Sequence, residues 1–494
     1  MTGETEPKTV GQLPNTSTQT PLAPVVFTRL VWALLVASLG ALAARLWTGG
    51  DWAVAGLVAV DGLTVLVWVV VTFFSGIVHS YSRRYMAGSE HQTRFFTRLF
   101  AFTLVVLVLV AADHVALFAA AWLAMGLVVA DLVGTVRGWP QAQAAATLAR
   151  RYFLASSALL GVALATLSWA TGATTISGIV AAPGTVPTTP LLVAAGALVL
   201  AAMVQSALVP FHTWLLSSMT APTPASALMH AGFVNAGGIL LLRFAPVVTV
   251  EPTVMLTIAV VGATSALLGK LLKTVQTDVK RQLGCSTTGQ MGFMLLQAGL
   301  GFFGAAIAHL ILHGFYKAYL FLASGGQVEY TSPTKSTSGS PGLVGSVVTV
   351  LVALAGGALF AVITGKGTHL DSGLLLTGLV TLTTLHATWS VVGTSDLAPT
   401  LRYGAVALLF LPAVAVYAAV YNAVTAVLAD LPLVTAPAEL TVVHGVLAAA
   451  FLAAYLAIET GVYQRSHRLY VALVNAAQPP TTTLLTATED YNEH

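Results

Sequence analysis

Charged residues are scarce in this 494-residue chain: Asp, Glu, Lys and Arg together make up 8% of it, where a soluble domain carries about 25%. With 56% of the residues hydrophobic, the polar remainder is too small to clothe a water-facing globule, which excludes a soluble fold. Cysteine is almost missing. Cys285 stands alone, so no internal disulfide and no multi-cysteine metal or cluster site can form. A strong excess of one charge is missing as well: 21 Lys+Arg against 18 Asp+Glu leave +3, too even a balance for a nucleic-acid binder. Walker A, dinucleotide, zinc-loop and haem-attachment motifs are absent, which argues against an ATP-driven pump and against a redox subunit with its own cofactor. No cofactor and no metal site are expected.

What the chain does have is long apolar runs. A transmembrane helix needs about 20 mostly apolar residues, and fourteen segments qualify: Leu30–Trp47, Ala53–Val78, Phe95–Ala112, Val115–Val133, Tyr152–Trp169, Pro190–Leu208, Ala225–Phe244, Val254–Leu272, Leu283–Ala298, Ala305–Ala323, Leu343–Thr364, Leu374–Val392, Tyr403–Leu428 and Leu440–Tyr463. Runs this long and continuous suit helices, which satisfy the backbone within each span, and not a barrel of short alternating strands. The expectation is an all-α integral membrane protein. Residues 1–24, polar and rich in Thr and Pro, read as a disordered tail. Residues 25–463 form one polytopic domain, and 464–494 a second tail. No signal peptide is visible, so the first span reads as an uncleaved anchor.

With fourteen spans the basic residues sort themselves. The N-terminal side holds 17: Lys8, Arg29, Arg83, Arg84, Arg94, Arg98, Arg137, Arg150, Arg151, Lys270, Lys273, Lys280, Arg281, Lys335, Arg402, Arg465 and Arg468. The other side holds three, Arg45, Arg243 and Lys366, and Lys317 falls within a span. The positive-inside rule then places both termini in the cytoplasm of a cell (plasma) membrane protein. The loops between spans are too short to fold as a catalytic domain, so the chain is not expected to be an enzyme by itself.

An ionisable side chain at mid-membrane costs about 2.5–3.5 kcal/mol on insertion scales, so each one is a candidate for function. The tenth span, AAIAHLILHGFYKAYLFLAS, places His309, His313 and Lys317 at i, i+4 and i+8 on one helix face. A merely structural polar stripe is the plainer reading; three titratable groups in a row suit a proton or cation relay. In the sixth span Pro210 removes a backbone donor, and His212, Trp214, Pro222, Pro224, His230 and Asn235 follow. A helix broken by proline beside polar side chains marks transporter sites, against the alternative of a simple kink. The eleventh span carries Gly356 and Gly357 at its middle and Lys366 near its end, a second candidate break, with a lysine that either joins the path or snorkels to the interface. Lys270 sits deeper than its basic neighbours Lys273, Lys280 and Arg281 and is a further path candidate. Asp131, His386 and Glu459 carry less weight, Glu459 because it fits an interfacial position.

Three stretches carry a family resemblance: VDGLTVLVWVVVTFFSGIVHSYSRRYM, QSALVPFHTWLLSSMTAPTPASALMHAGFVNAGGILLLR, and VQTDVKRQLGCSTTGQMGFMLL followed by AAIAHLILHGFYKAYLFLASG. They are similar, in order over about residues 60 to 370, to the antiporter-like membrane subunits of NADH-quinone oxidoreductase (subunit L) and of Mrp-type cation/proton antiporters. The resemblance implies two inverted repeats, roughly 113–247 and 283–430, each with a broken helix. It matches the family's translocation residues to Lys317, His309, His313, His230 and Lys366. It also exposes two departures: Leu123 stands where the family's pump subunits have a glutamate, and Gln205 where they have a lysine. The family's long lateral C-terminal helix is expected to be absent. Within the family the second stretch most resembles DabB-type subunits of inorganic carbon pumps. That implies conduction of H+ or Na+ down its gradient to drive a large cytoplasmic, zinc-dependent carbonic-anhydrase-like (DabA-like) partner. Two other readings remain: a proton-translocating subunit of a respiratory or Mrp-type complex, and a non-conducting membrane anchor for a soluble enzyme.

Overall fold

The computed structural model describes residues 21–50, 52–54, 56–324, 342–394, 399–461 and 465–483. Helix is present at every one of the fourteen expected spans. In chain order the helices are α1 (Leu22–Thr48), α2 (Gly62–Tyr85), α3 (Gln92–Ala111), α4 (Val115–Val133), α5 (Pro140–Thr171), α6 (Ile176–Ala181), α7 (Thr188–Gln205), α8 (Thr213–Ser217), α9 (Thr223–Ala231), α10 (Ala236–Arg243) and α11 (Ala245–Val248). They continue as α12 (Pro252–Thr274), α13 (Val279–Gly299), α14 (Phe303–Ser324), α15 (Gly342–Thr364), α16 (Ser372–Thr394), α17 (Pro399–Val427), α18 (Val442–Glu459) and α19 (His467–Ala476). Among the described residues twelve helices are long and apolar enough to cross a membrane, α9 and α10 counting as one. Of the other two expected spans, α13 is a full-length helix made less apolar by Gln282, Thr287, Thr288, Gln290 and Gln297, and α16 is a full-length helix over Ser372–Thr394.

The tightest pairing is α12 on α13. Small residues let the two backbones touch: a Cβ on Gly262, Gly269, Gly292 or Gly299 would collide with backbone atoms of the facing helix. Without a hydrophobic driving force between helices in lipid, such close approach is the main source of association energy. This contact lets α13 carry a polar face, since its flank is packed against protein.

Ion pairs and backbone bridges fix the two ends of the bundle. At one end Arg45 pairs with Asp430 at 2.6 Å, and Asp430 also accepts from the backbone N–H of Gly62 at 3.0 Å. Arg243 pairs with Asp61, which caps α2 by accepting from Thr64. Gly301, at φ 85°, lies against Ala436 so closely that a Cβ would meet its carbonyl. Two of the three basic residues expected outside are thus neutralised by carboxylates. At the other end Arg98 and Arg150 share Asp131 at 2.8 and 3.0 Å.

Several expectations need correction. Gly356 and Gly357 do not break a helix: α15 runs unbroken through them. Gly357 instead makes room for Thr381 of α16, which a Cβ would overlap. The irregular backbone comes later, at residues 365–371. The seventh span, expected whole, is interrupted at Gly232 between α9 and α10. The second span starts at Gly62; Trp52–Val54 and Val58–Val60 pair as two short antiparallel strands, whose Trp and Val residues suit strand. Of the expected tails, residues 1–20 and 484–494 lie outside the described residues. α1 begins at Leu22, and α19 occupies part of the expected C-terminal tail.

α19 folds back onto the bundle. Leu473 and Ala477 bury beside Leu216, Leu272, Val275 and Cys285. His212 donates to the Ala476 carbonyl at 3.0 Å, and Arg281 to Gln478 at 3.1 Å.

Candidate functional site

α7 ends at Gln205 and α8 begins at Thr213, with Pro210 in the gap between them. A proline there offers no N–H to continue the helix, so the expected break falls where its residue placed it. Trp214 locks the break by donating to the Val204 carbonyl at 2.9 Å. Gln205 sits at the end of α7, 1% exposed, with neither amide atom bonded.

Beyond the break, α9, α13 and α14 bring the central candidates together. Lys317 of α14 is 0% exposed, and its ammonium donates to the Leu283 carbonyl of α13 at 2.8 Å. That carbonyl also accepts from Thr287 at 2.9 Å. Because the Thr287 proton is used there, its oxygen accepts from Nδ1 of His230 at 2.9 Å. His230 and Lys317 are therefore linked through one hydroxyl and one carbonyl. This tautomer leaves Nε2 of His230 as a free base, buried and without a protein partner. Phe321 holds the ring by stacking at 4.4 Å between centroids.

Along α14, His309 and His313 stand with ring centroids 6.1 Å apart and planes 25° from parallel. Both ring nitrogens of His313 and Nε2 of His309 are buried without a protein partner. Helical spacing alone explains this line, since residues four apart project from the same face. The arrangement provides successive nitrogen bases and one ammonium in a water-poor interior. Those groups can accept and release protons, and as neutral rings they can also ligate a cation.

Lys270 does not join that line directly. Its ammonium donates to Nε2 of His386 on α16 at 2.8 Å, and Nδ1 of His386 donates to Glu459 on α18 at 2.6 Å. Sequence reasoning ranked His386 and Glu459 low because nothing local connects positions 73 and 116 residues apart. Thr287 was missed for the same reason; a threonine mid-helix carries no signal until its partner is known. Lys366 lies apart from both groups, beyond the end of α15. Its ammonium stands 5.2 Å from the centre of the Phe302 ring. Burial pulls its pKa below the ordinary lysine value, while Asp371 partly offsets this.

Residues 112–395 match the family described as NADH:quinone oxidoreductase/Mrp antiporter, TM, and residues 48–96 match the N-terminus of complex I chain 5. The chain is 41% identical over 304 residues to the probable inorganic carbon transporter subunit DabB1 of Halothiobacillus neapolitanus, covering 60% of this chain and 54% of that one. It is 35% identical over 368 residues to the probable inorganic carbon transporter subunit DabB of Bacillus subtilis, covering 72% and 71%. Among solved structures, the Mrp complex from Dietzia sp. DQ12-45-1b superposes with a TM-score of 0.56 at 25% identity, over 93% of this chain and 51% of that chain. The chain thus spans about half the length of the first of these relatives.

Proposed function

We propose that this chain, which belongs to the NADH:quinone oxidoreductase/Mrp antiporter membrane family, is the ion-conducting membrane subunit of an inorganic carbon pump. One observation carries the reading: Lys317 is kept fully buried on a single backbone carbonyl, beside His230 and in line with His313 and His309. Burying an ammonium costs several kcal/mol unless it is well paired, and a lysine held only by a carbonyl is poorly paired. An anchor needs no such residue; a carrier of protons or cations does. The similarity to subunits named as inorganic carbon transporters supplies the substrate class.

In this reading H+ or Na+ enters from the outer side near Lys366, passes His309, His313 and Lys317, and leaves on the basic, cytoplasmic side. Both termini are cytoplasmic, the two inverted repeats run over 113–247 and 283–430, and the energy drives a zinc-dependent, carbonic-anhydrase-like partner that hydrates CO2. Loops this short leave hydration to that partner. The second half of the molecule does the conducting. Leu123 and Gln205 cannot titrate, which also weighs against the second reading, a full pumping subunit of a respiratory or Mrp-type complex.

The test is carbon-dependent growth of a carbonic-anhydrase-deficient host. This chain together with a neighbouring zinc-protein gene restores growth and dissipates with an uncoupler; either alone does not. Full rescue by this chain alone sinks the two-component reading.

A further inference from the structure

The line around Lys317 explains how an ion reaches mid-membrane, but not how it leaves. The groups joined across α12, α16 and α18 suit that step. Lys270, His386 and Glu459 form an unbroken chain of hydrogen bonds, 2.8 Å and then 2.6 Å long. Three helices contribute one residue each. All three lie towards the end of the bundle that carries most basic residues, since Lys270 is little more than a turn from the end of α12 at Thr274 and Glu459 ends α18. The group is partly open to the surface, with the His386 side chain 33% and the Glu459 side chain 19% exposed. Lys273, one turn along α12, is within electrostatic reach of Lys317, Lys270 and His386. The charges of the two clusters are therefore coupled through it.

We propose that Lys270, His386 and Glu459 are a proton port that discharges the buried lysine line to the cytoplasmic side through α16 and α18, and that the coupling ion is therefore H+. The inference deepens the function proposed above and rests on it. Each step balances. The Lys270 ammonium gives a proton to Nε2 of His386 and becomes a neutral amine. The His386 Nδ1–H passes its proton to the Glu459 carboxylate, so the ring stays neutral with its tautomer reversed. Protonated Glu459 releases the proton to water and is again a carboxylate. Exchange with water at the partly exposed His386 ring, which takes the Nε2 proton and returns one to Nδ1, restores the starting tautomer, and the next proton from the Lys317 line recharges Lys270. Imidazole suits the middle position because it can donate and accept at once. Sodium does not suit the route. The route presents two ammonium groups, Lys270 and Lys273, before its one carboxylate, and these repel a metal cation while exchanging protons freely.

Among the described residues, the titratable groups facing His386 are Lys270 and Lys273 on α12 and Tyr455 and Glu459 on α18, with the Tyr455 ring 6.1 Å away edge-on. The last step is release of a proton to water, so proton flux should decline by mass action as the cytoplasmic-side pH drops. The experiment uses the full chain in sodium-free proteoliposomes with an internal pH dye. It compares the parent with Glu459→Gln, His386→Gln, Glu459→Asp and Lys317→Met at matched protein and matched melting temperature. Glu459→Gln and His386→Gln should each lower proton flux at least about tenfold. Glu459→Asp should recover most of the flux, which a purely structural role would not require. The port is refuted if Glu459→Gln and His386→Gln conduct near the parent rate while Lys317→Met is inactive; the conducting role of the chain then survives. If Lys317→Met conducts normally and Glu459→Gln does not, the port stands and the path through Lys317 fails. If the parent carries sodium but no protons, the port is overturned outright.

Discussion

Replacing Lys317 by methionine separates function from stability. Lys317 is wholly buried, and its ammonium makes one hydrogen bond, to the Leu283 carbonyl. Removing a charged hydrogen bond loses about 1.5–3 kcal/mol. Removing a buried ion also relieves a desolvation penalty of several kcal/mol. Leu283 is not orphaned, because Thr287 still donates to it. Methionine has nearly the volume of lysine, and such swaps cost less than ~1.5 kcal/mol in a packed interior. The sum is close to zero or stabilising, so the Lys317→Met protein should melt at or above the parent temperature. Alanine is a poorer probe, since the cavity it leaves costs about 2–5 kcal/mol and confounds loss of flux with loss of fold. Ion flux should nevertheless fall at least about tenfold, because a thioether neither binds nor releases a proton. The assay is a detergent thermal melt beside proteoliposome flux on the same preparation. A variant that conducts within about twofold of the parent, equivalent to ~0.4 kcal/mol in barrier, would falsify the role assigned to Lys317. A variant that melts far below the parent would show that the ammonium is structural.

Gln205→Met should keep flux and leave stability equal or higher, since it removes a buried amide that has no partner at a cost of about 1–3 kcal/mol; loss of flux would return the first half of the molecule to the path. Asp61→Asn should destabilise by about 3–5 kcal/mol by leaving Arg243 uncompensated, and Asp61→Asn with Arg243→Met should recover part of it, read by thermal melting. Burial alone would push the Asp61 pKa up, but the Arg243 charge and hydrogen bonds from Arg243 and Thr64 hold it below the ordinary 3.8. A depressed carboxyl contributes stability above its unfolded value and loses it as pH falls through the folded one. The parent should therefore lose stability below about pH 4 in a step that Asp61→Asn lacks. Gly269→Leu should abolish stable expression, because α12 and α13 touch backbone to backbone there, whereas lipid-facing Thr264→Val should be silent. A C-terminal reporter should be active only in the cytoplasm, as the 17-to-3 basic bias requires.

Local pattern decided the parts of this molecule that a single helix can express. Hydropathy set the spans because each membrane helix satisfies its own backbone and needs no partner to exist. The i, i+4, i+8 spacing put His309, His313 and Lys317 on one face before any neighbour was known. Pro210 stopped α7 because a missing donor acts on its own turn. The tertiary structure decided whatever depends on a partner distant in the chain. Arg45 meets Asp430 across 385 positions, and Glu459 meets His386 across 73. Neither pairing has a local trace. Gly356 and Gly357 fit a break and a close helix contact equally well, because glycine weakens a helix and also lets another approach it. Thr381, on the facing helix, made the second reading the real one. Lys270 stood out in the sequence as the deepest of a basic cluster, but its partners, an imidazole and a carboxylate, were supplied only by α16 and α18. A charge reveals its role only through the groups that share its burial, and the fold, not the order of residues, chooses them.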